Sequence, residues 1–258
     1  MPLSQPYAVP ERILVMGPAG SSKTTALLNI AKFAALTKSD AQFYVGDSDS
    51  SLPRMMVGYP TIQDRVHITP LYDWPDYQSF GKLVAQKARP QDWVSVDFIS
   101  NAWSAVQSHF VQSVFNKDMG DYFVFQRKAD AKTLEGWTDW NVINAMYRDW
   151  IKPLIFKGRY NLYCTAMSET LSSDKKPTES KEVRSLFLPY GVKPSGQKEL
   201  PFQFHTLLIA GKTTQPGTST TKYTLTTVKD RERIELVGQE VTNFTIDYLQ
   251  KVAGWQIA

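Results

Sequence analysis

The chain has 258 residues, 42% hydrophobic and 21% charged, so it can bury a sizeable core and is not a disordered tail. Its single cysteine, Cys164, excludes an intrachain disulfide scaffold, and a formal charge of +4 with a pI near 8.9 permits a polyanionic partner without requiring one. No apolar run approaches the ~20 residues of a membrane span, and Met1 to Pro10 lacks the basic and apolar regions of a signal peptide, so a cytoplasmic protein with no membrane partner is expected.

Arg12 to Met16 has the length and composition of a strand. It runs into Gly17-Pro18-Ala19-Gly20-Ser21-Ser22-Lys23-Thr24-Thr25, after which Leu27, Leu28, Ile30, Ala31, Ala34 and Ala35 recur at helical spacing as far as Leu36. Gln42 to Gly46 reads as a strand followed by the polar Asp47-Ser48-Asp49-Ser50-Ser51, and Val66 to Leu71 as another. A helix is expected over Asp76 to Ala88, with Pro75 at its start and Pro90 beyond its end. Trp93 to Phe98 is an apolar strand and Asn101 to Phe115 a helix behind it. The pattern fades between Asn116 and Thr138.

Helical spacing resumes over Trp140 to Phe156. There Trp137, Trp140, Tyr147 and Trp150 fall near one face and read as core or subunit packing. In the strand Asn161 to Met167, Cys164 reads as a small buried apolar residue. Ser168 to Leu200 is rich in Ser, Lys and Glu, carries Pro177, Pro189, Pro194, Gly191 and Gly196, and reads as a long mobile loop. Phe204 to Ala210 and Lys222 to Val228 alternate as the strands of a hairpin, and Asn243 to Val252 is a last helix with Thr242 as its N-cap. Strands alternating with helices predict an α/β fold: a mainly parallel central sheet flanked by helices, a C-terminal β-hairpin extension, and a single domain over 1–258 with 1–10 as an N-terminal extension.

Gly17 to Thr24 fits G-x-x-x-x-G-K-[ST] at every position except the sixth, where Ser22 replaces glycine. The spacing lets successive backbone amides curl around phosphate oxygens while a helix N-terminus points at the same charge. Gly17, Pro18, Ala19, Gly20, Ser21, Ser22, Lys23, Thr24 and Thr25 are therefore expected to cradle the phosphates of a nucleotide, with a glycine-containing turn before a helix as the plainer alternative. Within that set Lys23 faces the outer phosphates and the Thr24 hydroxyl is a ligand of Mg²⁺. A serine at 22 narrows the backbone geometry that glycine would permit. Asp97, leaving an apolar strand, is the expected carboxylate on Mg²⁺, with a helix-capping role as the alternative.

Four stretches in order, Gly17 to Thr25, Tyr44 to Asp49, Val94 to Ser100 and Val228 to Arg231, resemble the RecA-like P-loop ATPases, and among them the core-only recombination and single-strand annealing ATPases encoded by phages. The resemblance implies an ATPase, and a place in the host cytoplasm. It implies that Asp49, where the family carries a glutamate, positions the attacking water. Local chemistry reads Asp49 equally well as part of an Asx-rich turn. It also implies that Lys229 and Arg231 reach across a subunit boundary to a neighbour's ATP, and hence self-association into a filament or ring. A solvated strand end is the plainer alternative, since the charges from Lys229 to Arg233 alternate in sign.

The resemblance further implies single-stranded DNA as partner, touched by the segments Asn116 to Thr138 and Ser168 to Leu200. These offer Lys117, Arg127, Lys128, Lys132, Lys175, Lys176, Lys181, Arg184, Lys193 and Lys198 for phosphates. Tyr122, Phe123, Phe125, Phe187 and Tyr190 are available for stacking. Acids are interspersed, so solvated loops remain the alternative. Two rival functions stay open: a nucleotide-switched assembly protein with weak or no hydrolysis, and a P-loop phosphotransferase in which Ser168 to Leu200 is a lid. His67, His109 and His205 lack metal-ligand spacing.

Overall fold

The computed structural model describes residues 10–128, 138–172, 179–214, 217 and 221–242, with the side chains of 125–128 excepted. The expected N-terminal extension and the helix Asn243 to Val252 lie outside them, as do Trp137, Lys132, Lys175 and Lys176.

These residues form one nine-stranded mixed sheet. In chain order its strands are β1 (Arg12–Gly17), β2 (Phe43–Asp47), β3 (Val66–Pro70), β4 (Trp93–Asp97), β5 (Asn161–Thr170), β6 (Val192–Pro194), β7 (Thr206–Thr214), β8 (Thr221–Asp230) and β9 (Glu240–Val241). They lie in the order β3-β2-β4-β5-β1-β7-β8-β9, with β6 paired to β5. From β3 to β7 every pair is parallel; β7 with β8, β8 with β9 and β5 with β6 are antiparallel. The hairpin read from Phe204 to Val228 is thus the β7–β8 pair.

Side chains along β1 alternate between two cores, as a sheet covered on both faces requires. Ile13 and Val15 pack under α1 (Lys23–Leu36), whose Leu27, Ile30 and Ala31 are buried. The short α2 (Leu52–Met56) contributes Leu52 to the same core. Leu14 and Met16 face the opposite layer of α3 (Trp74–Lys87), α4 (Ile99–Phe115) and α6 (Thr138–Lys152). In that layer the Trp150 indole donates to the Tyr77 carbonyl at 2.7 Å and sits edge-on to Trp74 and Tyr77. Tyr147 and Trp150 are core residues, and Cys164 is fully buried, its thiol pushed up to about 12 by burial.

Several elements differ from expectation for local reasons. Helix α3 begins at Trp74 because Asp73 and Asp76 form a reciprocal capping box around Pro75. The faded segment after Asn116 contains α5 (Met119–Lys128), which inserts the buried ring of Tyr122 into the core. The stretch Ser168 to Leu200, read as one long loop, is a correction. Strand β5 runs on to Thr170, β6 pairs with it, and α7 (Lys181–Phe187), capped by the Ser180 hydroxyl on the Val183 amide, buries Val183 and Phe187. Two apolar side chains four residues apart suffice to dock so short a helix, too few to stand out among charged neighbours. A four-residue turn, α8 (Leu200–Gln203), leads into β7.

Candidate functional site

The parallel strands end on one edge of the sheet, where Gly17 lies level with Met167 and Asp47 level with Asp97. Crevices at such edges are where open α/β sheets bind ligands. Gly17 presses against the neighbouring strand: a Cβ there would stand 2.5 Å from the Ala210 carbonyl oxygen and 2.8 Å from Ser21 Oγ. The loop then passes through two left-handed residues, Gly20 (φ 72) and Ser22 (φ 66). Ser22 therefore holds the backbone conformation that glycine adopts without strain, and the departure from the motif is one of residue type. Its hydroxyl caps no amide of α1.

Lys23 opens α1 and is buried. Its Nζ donates to the carbonyls of Gly17 and Pro18, both at 2.8 Å, and lies 5.1 Å from the centre of the Phe98 ring. Burial lowers its pKa, while the carboxylates of Asp97 and Asp49 pull it back up. The Tyr163 hydroxyl donates to the Lys23 carbonyl at 2.7 Å and ties the start of the helix to β5.

Asp97, at the end of β4, is fully buried. Its Oδ2 accepts from the Thr24 hydroxyl at 2.6 Å, and its Oδ1 accepts from the Thr165 hydroxyl. The carboxylate is thus turned to the loop; Phe98 occupies the N-cap of α4, which has no side-chain cap bond. Burial raises the Asp97 pKa against the two hydroxyls and Lys23. A hydroxyl and a carboxylate are the hard oxygen donors Mg²⁺ takes, and Mg²⁺ completes its shell with water and substrate phosphates. The residues therefore fit that ion, although no group of three His, Cys, Asp or Glu among the described residues could hold a metal by itself.

Asp49 is exposed, accepts from the Ser51 amide at 3.1 Å, and acts electrostatically on both Lys23 and Asp97. It is at once part of an Asx turn and a neighbour of the loop. Sequence reasoning passed over three groups around it. Asp47 is buried and accepts from the amides of Asp49 and Leu52, its carboxyl pushed up to about 6, first by burial and next by Asp49. The Ser48 hydroxyl accepts from the Phe98 amide at 2.7 Å and Asn101 Nδ2 at 2.9 Å, joining the two strand ends. Thr165 sits inside an apolar run, and only the β4–β5 pairing reveals its contact with Asp97.

Beside the loop a cleft of 320 Å³ opens between α1 and the hairpin, lined by Ser22, Thr25 and Asn29 on one side and Tyr223 and Leu225 on the other.

Lys229 and Arg231 lie at the other end of the sheet. Lys229 is level with Leu207, which is level with Leu14, so the structure does not bring either cation to the phosphate loop of the same chain. Lys229 Nζ donates to the carbonyls of Phe204 (2.7 Å) and Pro201 (3.0 Å), and Arg231 to that of Phe202 (2.9 Å). Burial, then the charge of Arg231, brings the Lys229 ammonium down to about 8. Of the aromatics assigned to nucleic-acid stacking, Tyr122 and Phe187 are core residues and unavailable, a second correction to the loop reading, whereas Phe123 is half exposed. No helix among the described residues is long and apolar enough to cross a membrane. Compared with known proteins, the chain matches no family model and no curated relative.

Proposed function

We propose that the chain is a RecA-like P-loop ATPase core that binds Mg·ATP at Gly17–Thr25, hydrolyses it to ADP and phosphate, and self-assembles on single-stranded DNA in recombination or annealing. The observation that carries the reading is the 2.6 Å hydrogen bond from Thr24 Oγ1 to the buried Asp97 Oδ2, beside Lys23. A fully buried carboxylate is costly unless it is paired or hydrogen-bonded, and here both donors to it are hydroxyls, one of them at the loop's own Ser/Thr position.

In this reading Lys23 leaves its two carbonyl partners to meet the outer phosphates, and Thr24 with Asp97 holds Mg²⁺. The ion neutralises charge on the phosphate oxygens when bound. Asp49 orients a water and accepts its proton. Replacing Lys23 by Ala should lower phosphate release about 100-fold or more, the cost of removing one charged stabiliser of the transferring group, while the circular dichroism spectrum stays unchanged. Undiminished turnover in that variant would refute the assignment.

One observation favours the rival in which ATP binds and switches assembly with little hydrolysis: the Asp49 carboxylate is short and already engaged with the Ser51 amide. Nucleotide-dependent oligomerisation without steady-state phosphate release would select it.

A further inference from the structure

A groove of 840 Å³ opens on the layer of α4 and α6, between α6 and the segment 196–203, and no residue of Gly17–Thr25 lines it. Its floor is aromatic. Trp103 of α4 and Trp140 of α6 are stacked with centroids 6.3 Å apart and planes 23° from parallel, and both are half-buried, so ring surface remains open to the groove. At the far end Phe156 is 51% exposed with the Arg12 guanidinium over its ring.

The rim is cationic. Among the described residues, Arg148, Lys152 and Lys198 are exposed and have no ion-pair partner, and Glu199 is the one acid along the lining. Long cationic side chains around open indole faces match a chain that carries both repeated negative charge and flat, unstacked rings. A duplex hides its rings in the stack, and an acidic peptide would leave the indoles without partners.

We infer that this groove is a binding site for single-stranded nucleic acid, with a base stacked on Trp140 and phosphates beside Arg148, Lys152 and Lys198. The inference rests on the single-strand part of the function proposed above and is independent of its phosphate site. It places the contact on helix faces and on the last few residues of the segment Ser168 to Leu200, where Lys198 survives from the sequence reading. Buried Tyr122 and Phe187 take no part.

The test is fluorescence anisotropy of a labelled twenty-nucleotide oligothymidylate against the full chain, without nucleotide and across a salt series. Trp140→Ala should weaken binding about tenfold, within the range of one lost base–aromatic stack, and Trp140→Phe should restore most of it. Arg148→Gln with Lys152→Gln, two exposed positions that leave the fold intact, should reduce the slope of log affinity against log salt by about 1.4. Lys23→Ala should bind the oligonucleotide as the natural chain does, so failure of the ATPase reading and failure of this one are separable. Affinities within twofold for Trp140→Ala and for the double variant would overturn the proposal. So would absence of binding at low salt, a preference for the duplex, or displacement by polyglutamate at an equal concentration of charge.

Discussion

Ser22 is the one residue at which the phosphate loop departs from its motif, and its geometry sets up a test. A residue other than glycine held in the left-handed region costs roughly 1–2 kcal/mol. Glycine there would remove that strain but give back roughly 0.5–1 kcal/mol through the greater freedom of the unfolded chain. Because the Ser22 hydroxyl makes no cap bond, nothing else is lost. Ser22→Gly should therefore stabilise the chain by about 0.5–1 kcal/mol, a rise of roughly 1–4 °C in melting temperature for a chain of this size. Ser22→Ala keeps the strain and should melt close to the natural protein. Ser22→Val, branched at Cβ, should melt lower. Scanning calorimetry reads all three, and titration with a fluorescent ATP analogue should show no loss of affinity in Ser22→Gly, since the backbone amides stay where they are. A lower melting temperature for Ser22→Gly than for Ser22→Ala would refute the strain at this position and the loop geometry with it.

Asp97→Asn removes the buried charge but keeps the shape, so nucleotide binding should lose its dependence on Mg²⁺; the comparison is analogue affinity in magnesium and in a chelator. Thr165→Val deletes one of the two hydroxyls on that carboxylate and should cost about 1.5–3 kcal/mol, read by denaturant unfolding. For Asp47 the folded pKa, about 6, lies above the ordinary carboxylate value of 3.8. Its contribution to stability is therefore fully present below pH 3.8 and is lost as the pH rises towards 6. Asp47→Asn, which cannot titrate, should gain in melting temperature relative to the natural chain across that window. A difference that does not change with pH would contradict the burial of this carboxyl.

Elements with a strong local signal were legible: β1 and β4 as short apolar runs, α1 by its helical spacing and the β7–β8 hairpin by its alternation all fall within a few residues of where those patterns place them. The loop was legible because its chemistry is contiguous. What escaped is what depends on neighbours distant in sequence. Thr165 belongs to the site through a strand pairing with β4, and α7 is a helix because Val183 and Phe187 find a pocket to fill. Asp47 looked like one acid among several in a polar turn. Its burial follows from lying level with Asp97 in the sheet, which no local pattern encodes.

The sheet separates the phosphate loop from Lys229 and Arg231 by most of the length of β1 and by two strands, so on the proposed reading those cations can serve phosphates only in a second copy. Such head-to-tail contact makes each site from two chains, and that has a quantitative consequence. Lys23→Ala lacks the phosphate contact but retains both cations; a Lys229→Met/Arg231→Ala variant has the reverse defect. Each alone should be nearly inactive. Mixed in equal amounts and assembled at random, about a quarter of the sites should combine an intact loop with an intact neighbour, and phosphate release should recover to about that fraction. Melting curves for both variants establish that they are folded, which matters because Lys229 also binds the carbonyls of Pro201 and Phe204. Full activity of the double variant by itself would show that the two cations only close the turn between α8 and β7. Activity that is absent from both variants and from their mixture would overturn the site shared between two chains.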